Sequence, residues 1–171
     1  MRIYLTGFMG SGKTTVGRKL AERLTVPFVD LDHEIERRAH KSVREIFESD
    51  GEAAFRRLEA DALRATQAYP DVVVATGGGT VAFAGNLNLI RQAGISVWLN
   101  PAFQTLVDRI GAAGKKDRPL FRDETQALGL YRERLPSYRT ADVTVDVAPG
   151  ESAEEVSARL EIRLRSGACA T

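Results

Sequence analysis

Apolar residues in this chain gather in short runs, separated by stretches of helical period. Arg2–Thr6 (RIYLT), Phe28–Leu31 (FVDL), Val72–Thr76 (VVVAT), Ile95–Leu99 (ISVWL) and Val143–Val147 (VTVDV) read as five strands. Several of these runs are continuous rather than alternating, which is the pattern of parallel strands covered on both faces. Helices are predicted from the first glycine loop to about Leu24, over Asp32–Ala39, from Ser42 onward, and over Glu52–Ala68. Further helices are expected near Asn86–Gln92, Ala102–Ile110 and Thr125–Tyr138, with a last one running from Ser152 to about Leu164. Ser42 with Glu45, and Ser152 with Glu155, have the spacing in which a serine and a glutamate cap a helix start reciprocally. The alternation of strand and helix predicts a three-layer α/β domain around a parallel five-stranded sheet. The 171 residues suit one such domain, 1–171, with Gly111–Glu124 (GAAGKKDRPLFRDE) as a mobile loop and Ser166–Thr171 as a fraying tail.

Composition changes this picture mainly by exclusion. A hydrophobic fraction of 43% supports a real core, and a formal charge of +1 provides no field for nucleic acid or an anionic membrane. No apolar run is long enough to span a bilayer. The apolar start leads straight into a glycine loop rather than a signal-peptide layout. Cys169 is the single cysteine and can form no internal disulfide. A cytoplasmic monomer is the expectation.

Candidate chemistry begins at Gly7–Thr14, GFMGSGKT, which fits G-x-x-x-x-G-K-[ST] between a strand and a helix. In such a loop the backbone of Gly10, Ser11 and Gly12, continuing into Lys13, Thr14 and Thr15, curls around phosphate oxygens at a helix N-terminus. Lys13 reaches the β- and γ-phosphates, and the Thr14 hydroxyl faces Mg²⁺. The pattern predicts ATP or another nucleoside triphosphate as ligand without choosing among a kinase, an ATPase motor and a GTPase switch. The usual metal-side Asp is missing from the third strand, which ends in Ala-Thr-Gly-Gly-Gly. Asp30 and Asp32 stand at the end of the second strand instead, where ligands of open α/β sheets gather. Asp32 is a candidate to accept a hydroxyl proton and Asp30 to help hold the metal. The competing reading is that one of them caps the helix starting near His33.

A second glycine loop follows the third strand in VVVATGGGTV. A tight turn needs one or two glycines; three in a row, Gly77, Gly78 and Gly79, suggest backbone approaching a ligand. Glu52, Phe55, Arg56 and Glu59 occupy neighbouring positions of one helical face. They suit either a surface ion-pair cluster or a guanidinium held beside an aromatic ring to bind an apolar ring with a carboxylate. Arg134 lies in YRERLPSYR between Arg132 and Arg139, and composition alone does not single it out. Lys115 and Lys116 read as solvated loop charges, Trp98 as a core residue, and His33 and His40 have no partners at metal-ligand spacing.

Taken together, GFMGSGKTTVGRKLA, FVDLD, SVREIFESDGEAAFRRLE, TGGG, RPL and ERLPSYRTAD resemble the shikimate kinases over nearly the whole chain. The resemblance implies a nucleoside-monophosphate-kinase-like P-loop fold with strand order 2-3-1-4-5. It also implies Mg²⁺-dependent transfer of the ATP γ-phosphate to the 3-hydroxyl of shikimate, on the way to chorismate and the aromatic amino acids. By position, Asp32 matches the acid that binds the substrate hydroxyls and serves as base, and Arg56 and Arg134 match the pair gripping the substrate carboxylate. Gly77, Gly78 and Gly79 match the glycines of the substrate site. Phe47 and Phe55 match apolar contacts to the ring, and Glu59 matches the residue that positions Arg56. Arg118 corresponds to the lid arginine that closes on ATP, and Arg109 to an arginine on the adenine side. Near the fifth strand, VAPGES offers no arginine for the adenine loop.

Overall fold

The computed structural model describes residues 1–113 and 123–167. Strands β1 (Arg2–Thr6), β2 (Phe28–Asp30), β3 (Val72–Ala75), β4 (Ile95–Pro101) and β5 (Val143–Val147) form one parallel sheet in the order β2-β3-β1-β4-β5. Helices α1 (Lys13–Leu24), α2 (Leu31–Ala39), α3 (Val43–Ser49), α4 (Glu52–Ala65), α5 (Ala84–Ala93), α6 (Phe103–Ala113), α7 (Glu124–Tyr138) and α8 (Ala153–Arg165) connect and cover it.

The continuous apolar runs have the predicted cause. Ile3, Leu5, Val73, Val97, Val143 and Val145 point to one face and pack with Leu20 of α1 and Leu160 of α8. Tyr4, Val72, Val74 and Trp98 point to the other and pack with Ile35, Leu63, Ile90 and Tyr138. Successive residues of a central strand therefore reach opposite cores, and both must be apolar. Trp98 is buried, as expected.

Register sets up the site. Leu5 of β1 pairs with Ala75 of β3, and Ala75 pairs with Asp30 of β2. The first glycine loop, the second glycine loop and the Asp30–Asp32 segment thus leave the sheet side by side at its carboxyl edge.

Several boundaries differ from the sequence reading for local reasons. Leu31 begins α2 instead of ending β2, because Asp30 is extended (φ −99, ψ 118) and its side chain caps the helix by accepting from His33 N at 3.3 Å. The helix expected over Glu52–Ala68 is α-helical only to Ala65, then tightens into a 3₁₀ turn over Thr66–Ala68. There the Thr66 hydroxyl donates to Leu63 O at 2.7 Å and meets the Tyr4 hydroxyl at 3.1 Å. A 3₁₀ turn at Thr80–Ala82, after the second glycine loop, had no distinct sequence signal. The helix expected near Asn86 already starts at Ala84, and β4 continues to Pro101. Gly111, placed in the mobile loop by sequence, is still helical in α6, and Glu124 opens α7. Most of that loop, with Lys115, Lys116 and Arg118, and also Cys169, lies outside the described residues. Both reciprocal caps, at Ser42 and Ser152, are present. Among the described residues no helix is long and apolar enough to cross a membrane.

Candidate active site

A cavity of about 630 Å³ opens at the carboxyl edge of the sheet. One part is lined by Gly10 to Val16, Arg109, and Val147, Glu151, Ala153 and Val156 of the β5–α8 region. The other is lined by Val43, Phe47, Phe55, Arg56, Glu59, Gly77, Gly78, Gly79 and Arg134, with Asp30 and Asp32 also on the wall. The structure therefore brings together every sequence-predicted site residue that it describes.

The first part is built for anions. Gly12 caps α1 from the left-handed region (φ 95), where a side chain would be strained, and no side chain caps the helix. The first turn, Lys13–Thr15, carries no acid, so its N–H groups and the positive end of the helix dipole remain available to phosphate. Lys13 Nζ donates to Gly7 O at 2.8 Å and Phe8 O at 2.9 Å, which holds the ammonium over the loop. Arg109 of α6 donates to Gly10 O at 3.2 Å, placing its guanidinium on the rim of the same loop. Beyond it, Pro149 and Gly150 (φ 79) make a turn closed by Glu151 N donating to Ala148 O at 3.1 Å. In place of the arginine that VAPGES lacks, apolar Val147, Ala153 and Val156 provide surface there.

The two aspartates divide the work that sequence left open between them. Asp30 serves both readings at once: one carboxylate oxygen caps α2, and the other accepts from the Thr14 hydroxyl at 2.6 Å. The Asp32 side chain is exposed to solvent at the cavity wall, while the protein atoms gathered around that recess still strip much of the water from its carboxyl. Burial pushes its carboxyl up to about 6, repulsion from Asp30 and Glu59 adds to the shift, and Lys13 opposes it. A carboxyl of this kind releases its proton just below neutrality and then accepts one from a donor in the cavity. Among the described residues no group of three or more His, Cys, Asp or Glu could hold a metal by itself. Thr14 and Asp30 provide hard oxygen ligands suited to an ion that takes its remaining ligands from phosphate and water, as Mg²⁺ does.

In the second part, two arginines converge. Arg56 Nη1 meets Glu59 at 3.0 Å, its Nη2 meets Glu52 at 3.0 Å, and its guanidinium lies 5.1 Å from the Phe55 ring and 4.6 Å from the Phe83 ring. Glu59 is fully buried and is fixed on its other oxygen by the Thr80 hydroxyl at 2.6 Å. Arg134 is also buried, 6% exposed, yet pairs with no carboxylate among the described residues; the Phe8 ring lies 6.0 Å away. A buried guanidinium without a counter-charge is costly unless an anion is to be bound there. Gly79 sits between the two heads: a Cβ there would lie 2.9 Å from Arg56 Nη2 and 3.1 Å from Arg134 Nη2. Its φ is an ordinary −103, so space rather than backbone freedom requires glycine. The Phe47 and Phe55 rings meet nearby, tilted by 39° with 4.8 Å between centroids.

Sequence reasoning missed Phe83, Thr80, Phe8 and Tyr138, which support the arginines, Glu59 and Gly78. Tyr138 lies four residues after Arg134, a spacing that could have drawn attention to it. Phe83 is an isolated aromatic without a signal.

Comparisons with known proteins follow the same lines. The family model described as "Shikimate kinase" matches residues 9–165. A shikimate kinase of Sulfurihydrogenibium sp. (strain YO3AOP1) is 39% identical over 165 residues, covering 94% of this chain and 98% of the relative. The solved shikimate kinase from Acinetobacter baumannii in complex with shikimate superposes with a TM-score of 0.90 at 37% identity, covering 98% of this chain and 93% of that one. A gluconokinase from Sinorhizobium meliloti 1021 shares the fold at a TM-score of 0.63 but only 21% identity, covering 97% of this chain and 96% of that one.

Proposed function

The chain belongs to the shikimate kinase family, and from that premise we propose that the cavity transfers the γ-phosphate of ATP to the 3-hydroxyl of shikimate, giving shikimate 3-phosphate and ADP. The observation that carries the assignment of parts is the convergence of Arg56 and Arg134 on Gly79, in the same cavity as the phosphate loop. Two guanidinium forks suit a carboxylate, which they can meet through paired hydrogen bonds. Phe47 and Phe55 offer apolar surface to the ring beside it. Arg118, outside the described residues, remains the candidate lid arginine.

Phosphoryl transfer asks the protein for alignment and charge stabilisation more than for covalent chemistry. Gly10 to Thr15 hold the phosphates of ATP, and Lys13 swings from the loop carbonyls to the β- and γ-oxygens. Thr14 and Asp30 would hold Mg²⁺, which would supply neutralisation of phosphate charge. Asp32 orients the attacking hydroxyl and accepts its proton. Arg109 lies toward the nucleotide, and the Val147–Val156 surface accepts the base. We further infer a single domain working as a cytoplasmic monomer, with a lid formed by the segment between α6 and α7.

A coupled ADP-release assay over a panel of hydroxy acids, with the product identified by mass, tests the activity. Turnover of shikimate with Mg²⁺ and ATP is expected. Turnover of gluconate without shikimate would overturn it.

A further inference from the structure

The carbonyl of Gly78 accepts a hydrogen bond from the Tyr138 hydroxyl, 60 residues further along the chain. Tyr138 is buried at the end of α7, stacked on Trp98 of β4 with centroids 6.0 Å apart and planes 24° from parallel. Burial also pushes its hydroxyl well above the ordinary phenol range, so it stays protonated and able to donate.

The Gly78–Gly79 peptide is trans, so its C=O and N–H point in opposite directions. Holding the carbonyl on the Tyr138 side turns the Gly79 N–H away from α7. No hydrogen bond among the described residues takes up that N–H. Gly79 lines the cavity beside the heads of Arg56 and Arg134. We propose that Tyr138 is a positioning residue for the phosphate acceptor: by holding the Gly78 carbonyl it aims the Gly79 N–H at an oxygen of the bound hydroxy acid. Arg134 comes from the same helix, four residues earlier, so one element fixes both a guanidinium and a backbone donor in the acceptor site. This inference rests on reading the second glycine loop as the acceptor site.

A purely structural tyrosine would make the same ring contacts, so the test separates hydroxyl from ring. Tyr138→Phe keeps the ring against Trp98 and removes the hydroxyl. Trp98→Phe disturbs the ring stack and keeps the hydroxyl. Calorimetric titration of shikimate without nucleotide is expected to show affinity about tenfold weaker for Tyr138→Phe. Its kcat/KM for shikimate should fall in parallel, with the KM for ATP unchanged. Trp98→Phe should lower Tm while leaving shikimate affinity at the wild-type value. Wild-type affinity in Tyr138→Phe would overturn the proposal, as would affinity losses that follow Tm in both variants. Absence of shikimate binding by the wild-type protein would overturn the acceptor-site reading itself, a result distinct from either.

Discussion

The two glycine loops use the same residue for different physical reasons. In the first, Gly7, Gly10 and Gly12 have φ of 138, 79 and 95, and Gly12 turns the chain into α1 with nothing crowding its Cβ position closer than 3.8 Å. Conformation is the constraint these three share, joined at Gly7 by crowding, since a Cβ there would lie 2.7 Å from Leu99 O. In the second, Gly77–Gly79 have no φ in the left-handed region, but a Cβ would strike Glu59 at Gly77 and Arg56 at Gly79, each at 2.9 Å. Space for charged side chains is the constraint here. The comparison teaches that a phosphate loop is built into the backbone, whereas the second loop yields room to side chains arriving from α4 and α7.

The largest expected effect lies between the loops. Asp32→Asn should lower kcat by about 10²- to 10⁴-fold, the range for a lost general base, with ADP affinity intact. An acid whose carboxyl is raised in the folded state binds its proton more tightly there than when unfolded. Ionisation of Asp32 therefore weakens the fold as pH rises from about 3.8 through about 6, and the loss levels off above that. The same variant should thus hold or raise Tm at neutral pH, and a large fall in Tm together with kcat would point to a folding defect instead.

Substitutions in the loops sharpen the contrast. Gly79→Ala should weaken shikimate binding by about tenfold or more, because the arginine heads must shift, while leaving Tm and ADP affinity near wild type. Gly12→Ala should do the reverse, with strain of about 1–2 kcal/mol lowering Tm and loss of nucleotide affinity. Similar phenotypes for the two variants would break the distinction. The pH profile should show kcat/KM for shikimate falling below a break near pH 6, where Asp32 takes up its proton. A flat profile between pH 5 and 7 would remove Asp32 as the base. The smallest effect is remote from both loops: Ser152→Ala should cost about 1 kcal/mol of stability through the lost cap, with kinetics unchanged.

How much of this was legible in sequence followed the range of the interactions involved. The strands, the phosphate loop and both reciprocal caps depend on neighbours within a few residues, and all could be read from local pattern. The Leu31 boundary was misplaced because a strand's last residue and a helix cap are the same residue, Asp30. Arg134 needed the family resemblance: Arg132 and Arg139 are exposed and Arg134 is buried, a difference created by the packing of α7 that no local composition encodes. The support for Arg56 from Phe83 joins elements distant in the chain and left no trace in spacing, whereas for Tyr138 only its i, i+4 relation to Arg134 was local, and its bond to Gly78 was not.

In the proposed division of the cavity the first loop holds the donor and the second, with its two arginines, the acceptor. Parallel titrations of shikimate and of ADP into wild-type protein and Arg134→Ala test it most directly. Shikimate binding by the wild type in the absence of nucleotide is expected, with a loss of at least about tenfold in the variant and equal ADP affinity in both. Unchanged shikimate affinity in Arg134→Ala, or an ADP affinity that falls with it, would contradict the separation of the two sites.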